Sequence, residues 1–260
     1  MPRILVIVPF PMDENNLAQR RAQSAAVALP PDVQIDYRPV RVAPSNYVSG
    51  HDSAIAELSI IEAGASAERE GYEAVCIDTM SDTGVTALRA MLSIPVIGPG
   101  RHSMLTALML GRRFSILTMW DAWQPLYRKT LSDLDLYAQC ASVRSASLTP
   151  DNRNLLAGKE DDVFPRLEAV ARQCIEQDGA DVIILGSTTM HEAHAHLSKR
   201  LPVPVINPGP LTYVLACRAI RTCLSHSRLA YPSNRAPSPE LLRACVDAGG
   251  AADVTLATSR

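Results

Sequence analysis

The chain contains one strand–loop–helix–strand pattern twice, and this internal repeat constrains its fold more than any other feature. One copy runs from Gly71 to Gly100 and the other from Gly179 to Gly209. In each copy an apolar run typical of a buried strand ends in a short loop rich in hydroxyl side chains. A helical segment and a second short apolar run follow, closing on the tails SIPVIGPG and PVPVINPG. Such units build parallel sheets, so the repeat predicts an α/β fold with two similar lobes, each a parallel sheet covered by helices.

Aligning the two copies pairs residues that should occupy equivalent places in the two lobes. With Glu73 matched to Asp181, Thr79 falls on Ser187. Both residues directly follow a strand, at the carboxyl end where open parallel sheets bind ligands. The repeat therefore predicts lobes related by a pseudo-two-fold axis, with the functional site in the cleft between them.

The length of 260 residues suits two lobes of roughly 100–130 residues each. We assign residues 1–100 together with 211–231 to the first lobe and residues 101–210 to the second. Residues 232–260 form a linker and a C-terminal tail. In this tail we expect a short helix near residues 240–247 and a frayed or externally packed end. The apolar helix expected in 211–225 and the tail could both dock on a neighbouring copy, which favours a homo-oligomer.

Composition excludes several classes of function. The net charge of -2 and the aromatic content of 5% argue against a nucleic-acid partner. No apolar run approaches the ~20 residues of a membrane span, so we expect no membrane partner. The six cysteines contain no CxxC pair, and the N-terminus lacks the cleavage region of a signal peptide. Reduced thiols in a cytoplasmic protein are the simplest interpretation.

Hydroxyl-bearing and small residues gather at the predicted strand ends. Hydroxyls and neighbouring backbone amides at such positions can cradle a small carboxylate. Each hydroxyl could equally be a turn residue that satisfies a local backbone group. Besides Thr79 and Ser187, the candidate substrate-binding residues are Phe10, Asp78, Thr83, Gly84, Thr118, Thr188 and Thr189.

Proton transfer in such a site would need groups that titrate near neutral pH. Asp82 qualifies if burial raises its pKa, although it could instead cap the helix after Gly84. His191 titrates in the right range, although it could be a surface residue at the start of a helix. Asp78 flanks Thr79 and is a further carboxylate in this loop. Cys76 could be a displaced acid/base thiol, but its place inside a strand favours a core role.

Two other chemistries find less support in the sequence. His191, His194 and His196 lie in the run HEAHAH, which lacks the HExxH pattern and a third ligand, so we predict no metal. Ser187 sits at a strand-to-helix turn, as a serine nucleophile would. The segment LGSTT, however, lacks the GxSxG spacing of hydrolases.

The motifs DTG and IPVIGPG in the first half, with GSTTM and VPVIN in the second, resemble the aspartate/glutamate/hydantoin racemase superfamily. The resemblance runs from Arg3 to about Tyr231 and is nearest to the hydantoin and allantoin racemase branch. It implies that the lobes bind a small acid or cyclic imide between them, without a metal or organic cofactor. It also implies two cysteines, one per lobe, that remove and return the α-proton from opposite faces.

Here the two cysteine positions carry Thr79 and Ser187, and an alcohol is a much weaker acid than a thiol. We therefore expect a cofactor-independent isomerase that transfers a proton at a carbon α to a carbonyl of a small carboxylate or hydantoin-like substrate. The candidate catalytic residues are Thr79, Ser187, Asp82 and His191. The alternatives are a lyase or hydrolase on the same scaffold, or a non-catalytic protein that binds small acids.

Overall fold

Two parallel four-stranded sheets form the centre of the protein. The computed structural model describes residues 1–22, 25, 27–44, 46–148, 160–233 and 238–258. The first sheet has the order β2-β1-β3-β4 and the second the order β6-β5-β7-β8. The matching order confirms the expected α/β architecture of two similar lobes. The strands are β1 (Arg3–Val8), β2 (Gln34–Pro39), β3 (Ala74–Ile77), β4 (Val96–Ile97), β5 (Phe114–Thr118), β6 (Cys140–Ser145), β7 (Val182–Leu185) and β8 (Val205–Ile206).

Helices follow the strands along the chain, as expected for parallel sheets. Among the helices that the structure describes, none is both long enough and apolar enough to cross a membrane. The helices are α1 (Glu14–Ala22), α2 (Gly50–Gly64), α3 (Val85–Met91), α4 (Pro99–Leu110), α5 (Gln124–Leu134), α6 (Glu160–Glu176), α7 (His191–Arg200), α8 (Pro208–Arg221) and α9 (Pro239–Thr258).

The helix that follows each repeat packs against the sheet of the other lobe. After β4 of the first lobe, α4 packs Met104 and Ala107 into the core beneath the second sheet. After β8 of the second lobe, α8 packs Tyr213 against the first sheet. Both helices begin with proline, Pro99 and Pro208, whose missing N–H and fixed φ suit the first helical position. The equivalent strand ends of the two lobes are thereby held together.

The C-terminal tail differs from its expected form. Residues 239–258 form one helix, α9, whereas the sequence predicted a short helix near residues 240–247 and a frayed or externally packed end. Gly249 and Gly250 lie against the side chain of Val42. Asp247 also pairs with Arg41. Packing on α2 and its neighbourhood thus overrides the low helix propensity of the glycine pair.

Candidate functional site

A cavity of about 50 Å³ lies where the carboxyl ends of β1, β3 and β7 meet. Residues of both lobes line this cavity, so it lies in the cleft between them. Both equivalent loops, which begin at Thr79 and Ser187, line it. The residues around this inner cavity are Pro9, Phe10, Arg20, Tyr47, Asp78, Thr79, Met80, Ser81, Trp123, Leu126, Tyr127, Gly186, Ser187, Thr188 and Thr189.

The two loops make the same internal contact. Thr79 Oγ1 lies 3.1 Å from Ser81 Oγ, and Ser187 Oγ lies 2.8 Å from Thr189 Oγ1. In both loops the first hydroxyl contacts the hydroxyl two residues later, so residues that the repeat alignment pairs make equivalent contacts. Thr188 joins the loops, since its hydroxyl donates to the backbone oxygen of Asp78 over 3.2 Å. The cavity therefore presents two matching hydroxyl pairs, one from each lobe.

A buried ion pair adds charge to this polar cavity. Arg20 Nη1 lies 3.2 Å from Asp78 Oδ2, and the two side chains are only 7% and 1% exposed. Burial raises the pKa of the Asp78 carboxyl above its ordinary value, although the Arg20 charge opposes this shift. The Oδ1 atom of Asp78 finds no partner among the described residues. Asp78 is thus a buried carboxylate with one oxygen paired with Arg20 and the other without a hydrogen-bond partner among the described residues.

Among the cavity residues that the sequence analysis did not single out, three make contacts that shape the site. Arg20 reaches Asp78 across 58 positions of the chain, and no local pattern marks such a contact. Tyr47 donates to Pro9 O over 2.6 Å and packs its ring against Phe10. Its only signal was the length of the polar loop that carries it. Tyr127 donates to Gly186 O over 2.6 Å and so holds the second loop from below.

Three predicted binding residues lie outside the inner cavity. Thr118 is fully buried, and its hydroxyl contacts the Tyr127 hydroxyl at 2.8 Å, so it supports the wall from behind. The Gly84 amide donates to Glu57 Oε2 at the start of α3. Thr83 lines a larger neighbouring cavity. Their contact with a ligand in the inner cavity stays a prediction.

Asp82 caps a helix, but not the one that its sequence position suggested. Its carboxylate accepts hydrogen bonds from the amides of Gly100 (2.8 Å) and Arg101 (2.6 Å), in the first turn of α4. The backbone has a φ of 53°, which turns the side chain toward that helix. Burial raises the pKa of the carboxyl to about 6, against the effect of the two amides. Asp82 lines the neighbouring cavity and not the inner one.

Replacing Asp82 by glycine is expected to lower the free energy of unfolding by about 1–2 kcal/mol, because two α4 amides lose their acceptor. Glycine tolerates positive φ, so backbone strain does not contribute. Asparagine also tolerates this backbone and keeps one side-chain oxygen, so Asp82→Asn should lose less. Urea unfolding of the three proteins measures the difference. Equal losses in the two variants would contradict the capping role.

His191 opens α7 beside the ion pair. Its side chain is 25% exposed, and its buried Nδ1 has no partner among the described residues. Burial lowers the pKa of the imidazole, which keeps it neutral at physiological pH. His194 and His196 turn elsewhere, their Nε2 atoms lying 3.1 Å from Val205 O and from Glu168 Oε2. Within the described residues, no three His, Cys, Asp or Glu side chains are grouped to hold a metal ion.

No thiol reaches the inner cavity. All six cysteines belong to the described part of the chain, and none lines this cavity. Cys76 is completely buried in β3, with its sulfur 3.6 Å from Thr212 O, and burial raises the pKa of its thiol. The prediction that Cys76 belongs to the core is confirmed.

Replacing Arg20 by methionine should destabilise the protein by about 3 kcal/mol, because Asp78 would remain buried without its cation. The double variant Arg20→Met/Asp78→Asn should recover most of this loss, since no buried charge is left unpaired. Urea unfolding followed by circular dichroism compares the variants. A double variant no more stable than Arg20→Met would contradict the pairing.

Fold and site together define a two-lobed α/β protein with a small, partly polar cavity between equivalent loops. The family model of the Asp/Glu/hydantoin racemases matches residues 17–216, and the chain belongs to this family. A hydantoin racemase from Pseudomonas sp. (strain NS671) is 31% identical over 195 residues, covering 73% of this chain and 74% of that protein. One from Paenarthrobacter aurescens is 30% identical over 190 residues, covering 72% and 75%.

Solved structures show the same relationship. The allantoin racemase from Klebsiella pneumoniae superposes with a TM-score of 0.79 at 26% identity. The superposition covers 92% of this chain and 96% of that one. Membership of this family supports a racemase-type isomerase.

Proposed function

We propose that the protein is a cofactor-independent isomerase that inverts a carbon α to a carbonyl in a small cyclic imide. The observation that carries this proposal is the inner cavity, in which two equivalent hydroxyl pairs from opposite lobes surround a buried carboxylate. Two-sided access is what inversion of a carbon centre requires, because the proton leaves one face and returns on the other. The hydantoin and allantoin racemases among the relatives support this reaction class.

The charge of the cavity favours a neutral substrate over a free carboxylate. Among the described residues that line it, Arg20 and Asp78 are the charged ones, and they neutralise each other when Asp78 is ionised, as proton removal requires. A substrate carboxylate would add a buried negative charge without a free cation, which is costly. A hydantoin-like imide is uncharged and offers carbonyl and N–H groups to the hydroxyls of Thr79 and Ser187. We therefore rank the imide above the carboxylate.

Asp78 is the group that we assign to proton removal. Its raised pKa makes it a stronger base than an ordinary aspartate once it is ionised. The α C–H bond breaks, its electron pair moves into the carbonyl to form an enolate, and the proton passes to the Asp78 carboxylate. The hydroxyls of Thr79, Ser187, Thr188 and Thr189 and their amides stabilise the enolate oxygen. In this mechanism Asp82 has a structural role as the cap of α4, and His191 is a neutral residue next to Asp78.

Exchange of the α-proton with solvent tests this function. The protein is incubated in deuterium oxide with substituted hydantoins, amino acids and substituted malonates, and nuclear magnetic resonance follows deuterium uptake at the α-carbon. We expect uptake and loss of optical activity with hydantoins. Loss of carbon dioxide from malonates would instead identify a lyase. Binding of any of these compounds without uptake would identify a non-catalytic binder.

A further inference from the structure

A second, larger cavity lies next to the inner one. It measures about 430 Å³ and shares Tyr47, Ser81 and Leu126 with the inner cavity. Its lining includes Thr86 and Lys129, both exposed at the protein surface. This outer cavity is therefore in contact with solvent, and Ser81 lies in the wall between the two spaces.

Three hydroxyl groups cross this wall in a continuous row. Thr79 Oγ1 lies 3.1 Å from Ser81 Oγ, and Ser81 Oγ lies 2.6 Å from Thr83 Oγ1. Thr79 lines the inner cavity, Ser81 lines both cavities, and Thr83 lines the outer one. Each hydroxyl can both donate and accept a hydrogen bond, so the row can pass a proton by shifting every bond in the same direction.

We propose that Thr79, Ser81 and Thr83 form a proton relay between the reacting carbon and solvent. The relay rests on the proposed isomerase function and names the source of the proton that returns to the enolate. Thr79 gives its hydroxyl proton to the enolate carbon while it takes one from Ser81. Ser81 is resupplied by Thr83, and Thr83 by a water molecule in the outer cavity. The water that resupplies Thr83 is left as hydroxide. The proton first removed stays on Asp78 until product leaves and then passes to solvent, where it neutralises that hydroxide, so each hydroxyl side chain ends unchanged.

The equivalent loop of the second lobe has a shorter row of hydroxyl groups than the loop that begins at Thr79. Ser187 and Thr189 make the equivalent first contact, but no third hydroxyl among the described residues extends their row. Neither residue lines the outer cavity. A local turn would explain the paired hydroxyls of both lobes equally. It does not explain why only the row from Thr79 continues into a second, solvent-accessible space.

The experiment follows a substituted hydantoin that carries deuterium at its α-carbon, incubated with the protein in ordinary water. In the unaltered protein the inverted product should carry hydrogen, because the relay supplies the returning proton from solvent. Ser81→Ala interrupts the row at its centre, and Thr83→Val interrupts it at its outer end with little change in shape. In both variants we expect several-fold slower inversion. We also expect a smaller slowing of inversion when water is replaced by deuterium oxide, because fewer relay protons move in the step. A blank without protein corrects for spontaneous exchange.

Thr86→Val is the matched control, since Thr86 is an exposed residue of the outer cavity that is not part of the row. Its inversion rate and solvent isotope effect should equal those of the unaltered protein. An unchanged inversion rate and an unchanged solvent isotope effect in both Ser81→Ala and Thr83→Val, with inversion intact in the unaltered protein, would overturn the relay alone. Absence of inversion and of exchange in the unaltered protein would overturn the proposed isomerase, and the relay with it.

Discussion

The double variant Thr79→Cys/Ser187→Cys is expected to racemise a substituted hydantoin about 100-fold faster, or more, than the unaltered protein. The resemblance to the racemase superfamily places its two acid/base cysteines at these positions, one in each lobe. Both loops line the inner cavity, so each new thiol would face the same enclosed substrate. A thiol titrates close to neutral pH and exchanges protons far more readily than an alcohol. Polarimetry of one pure enantiomer measures the rate.

The single variants separate a two-sided mechanism from the effect of one added thiol. Thr79→Cys and Ser187→Cys should each increase α-proton exchange more than inversion, because only one face of the substrate gains a good acid/base group. The gain in inversion should require both thiols. A correctly folded double variant that inverts no faster than either single variant would contradict the equivalence of the two loops.

Asp78→Asn is expected to slow α-proton exchange by about 100-fold or more, because it removes the group to which we assign proton removal. The rate in the unaltered protein should rise with pH as Asp78 ionises, then level off. Burial raises the pKa of this carboxyl, so the rise should lie above the ordinary range of an aspartate. The asparagine variant should lack this rise. Deuterium uptake measured across a pH series provides the profile.

A structural effect of the substitution is separable from a chemical one. Asp78→Asn leaves Arg20 buried without its anion, so the variant Arg20→Met/Asp78→Asn serves as the control. This double variant should regain stability while remaining slow in exchange. Recovery of the exchange rate along with stability would show that Asp78 supports the fold and is not the base.

The repeat was sufficient to predict the architecture. Apolar runs such as Val182–Leu185 are buried on both faces of a parallel sheet, so their pattern in the sequence is strong. The same repeat predicted that the Thr79 and Ser187 loops meet at one site, since equivalent strand ends come together when the lobes pair. The family resemblance added the substrate class and the expectation of missing thiols. These inferences depend on local patterns that the chain repeats.

The remaining details depend on contacts that no local pattern records. Arg20 belongs to an ordinary polar helix, and only the fold brings it to Asp78. Asp82 looked like a cap for the next helix, but its positive φ directs it to α4, further along the chain. The sequence predicted only a short helix in the tail, whereas one helix extends over residues 239–258 and lies against Val42. All three features depend on contacts between residues that are far apart in the sequence.

A crystal structure of the unaltered protein with a bound substituted hydantoin tests the central claim most directly. We predict that the α-carbon lies between the Thr79 and Ser187 loops, with the Asp78 carboxylate on one face and the Thr79 hydroxyl on the other. A hydantoin bound only in the outer cavity, or held away from both loops, would contradict the assignment of the site.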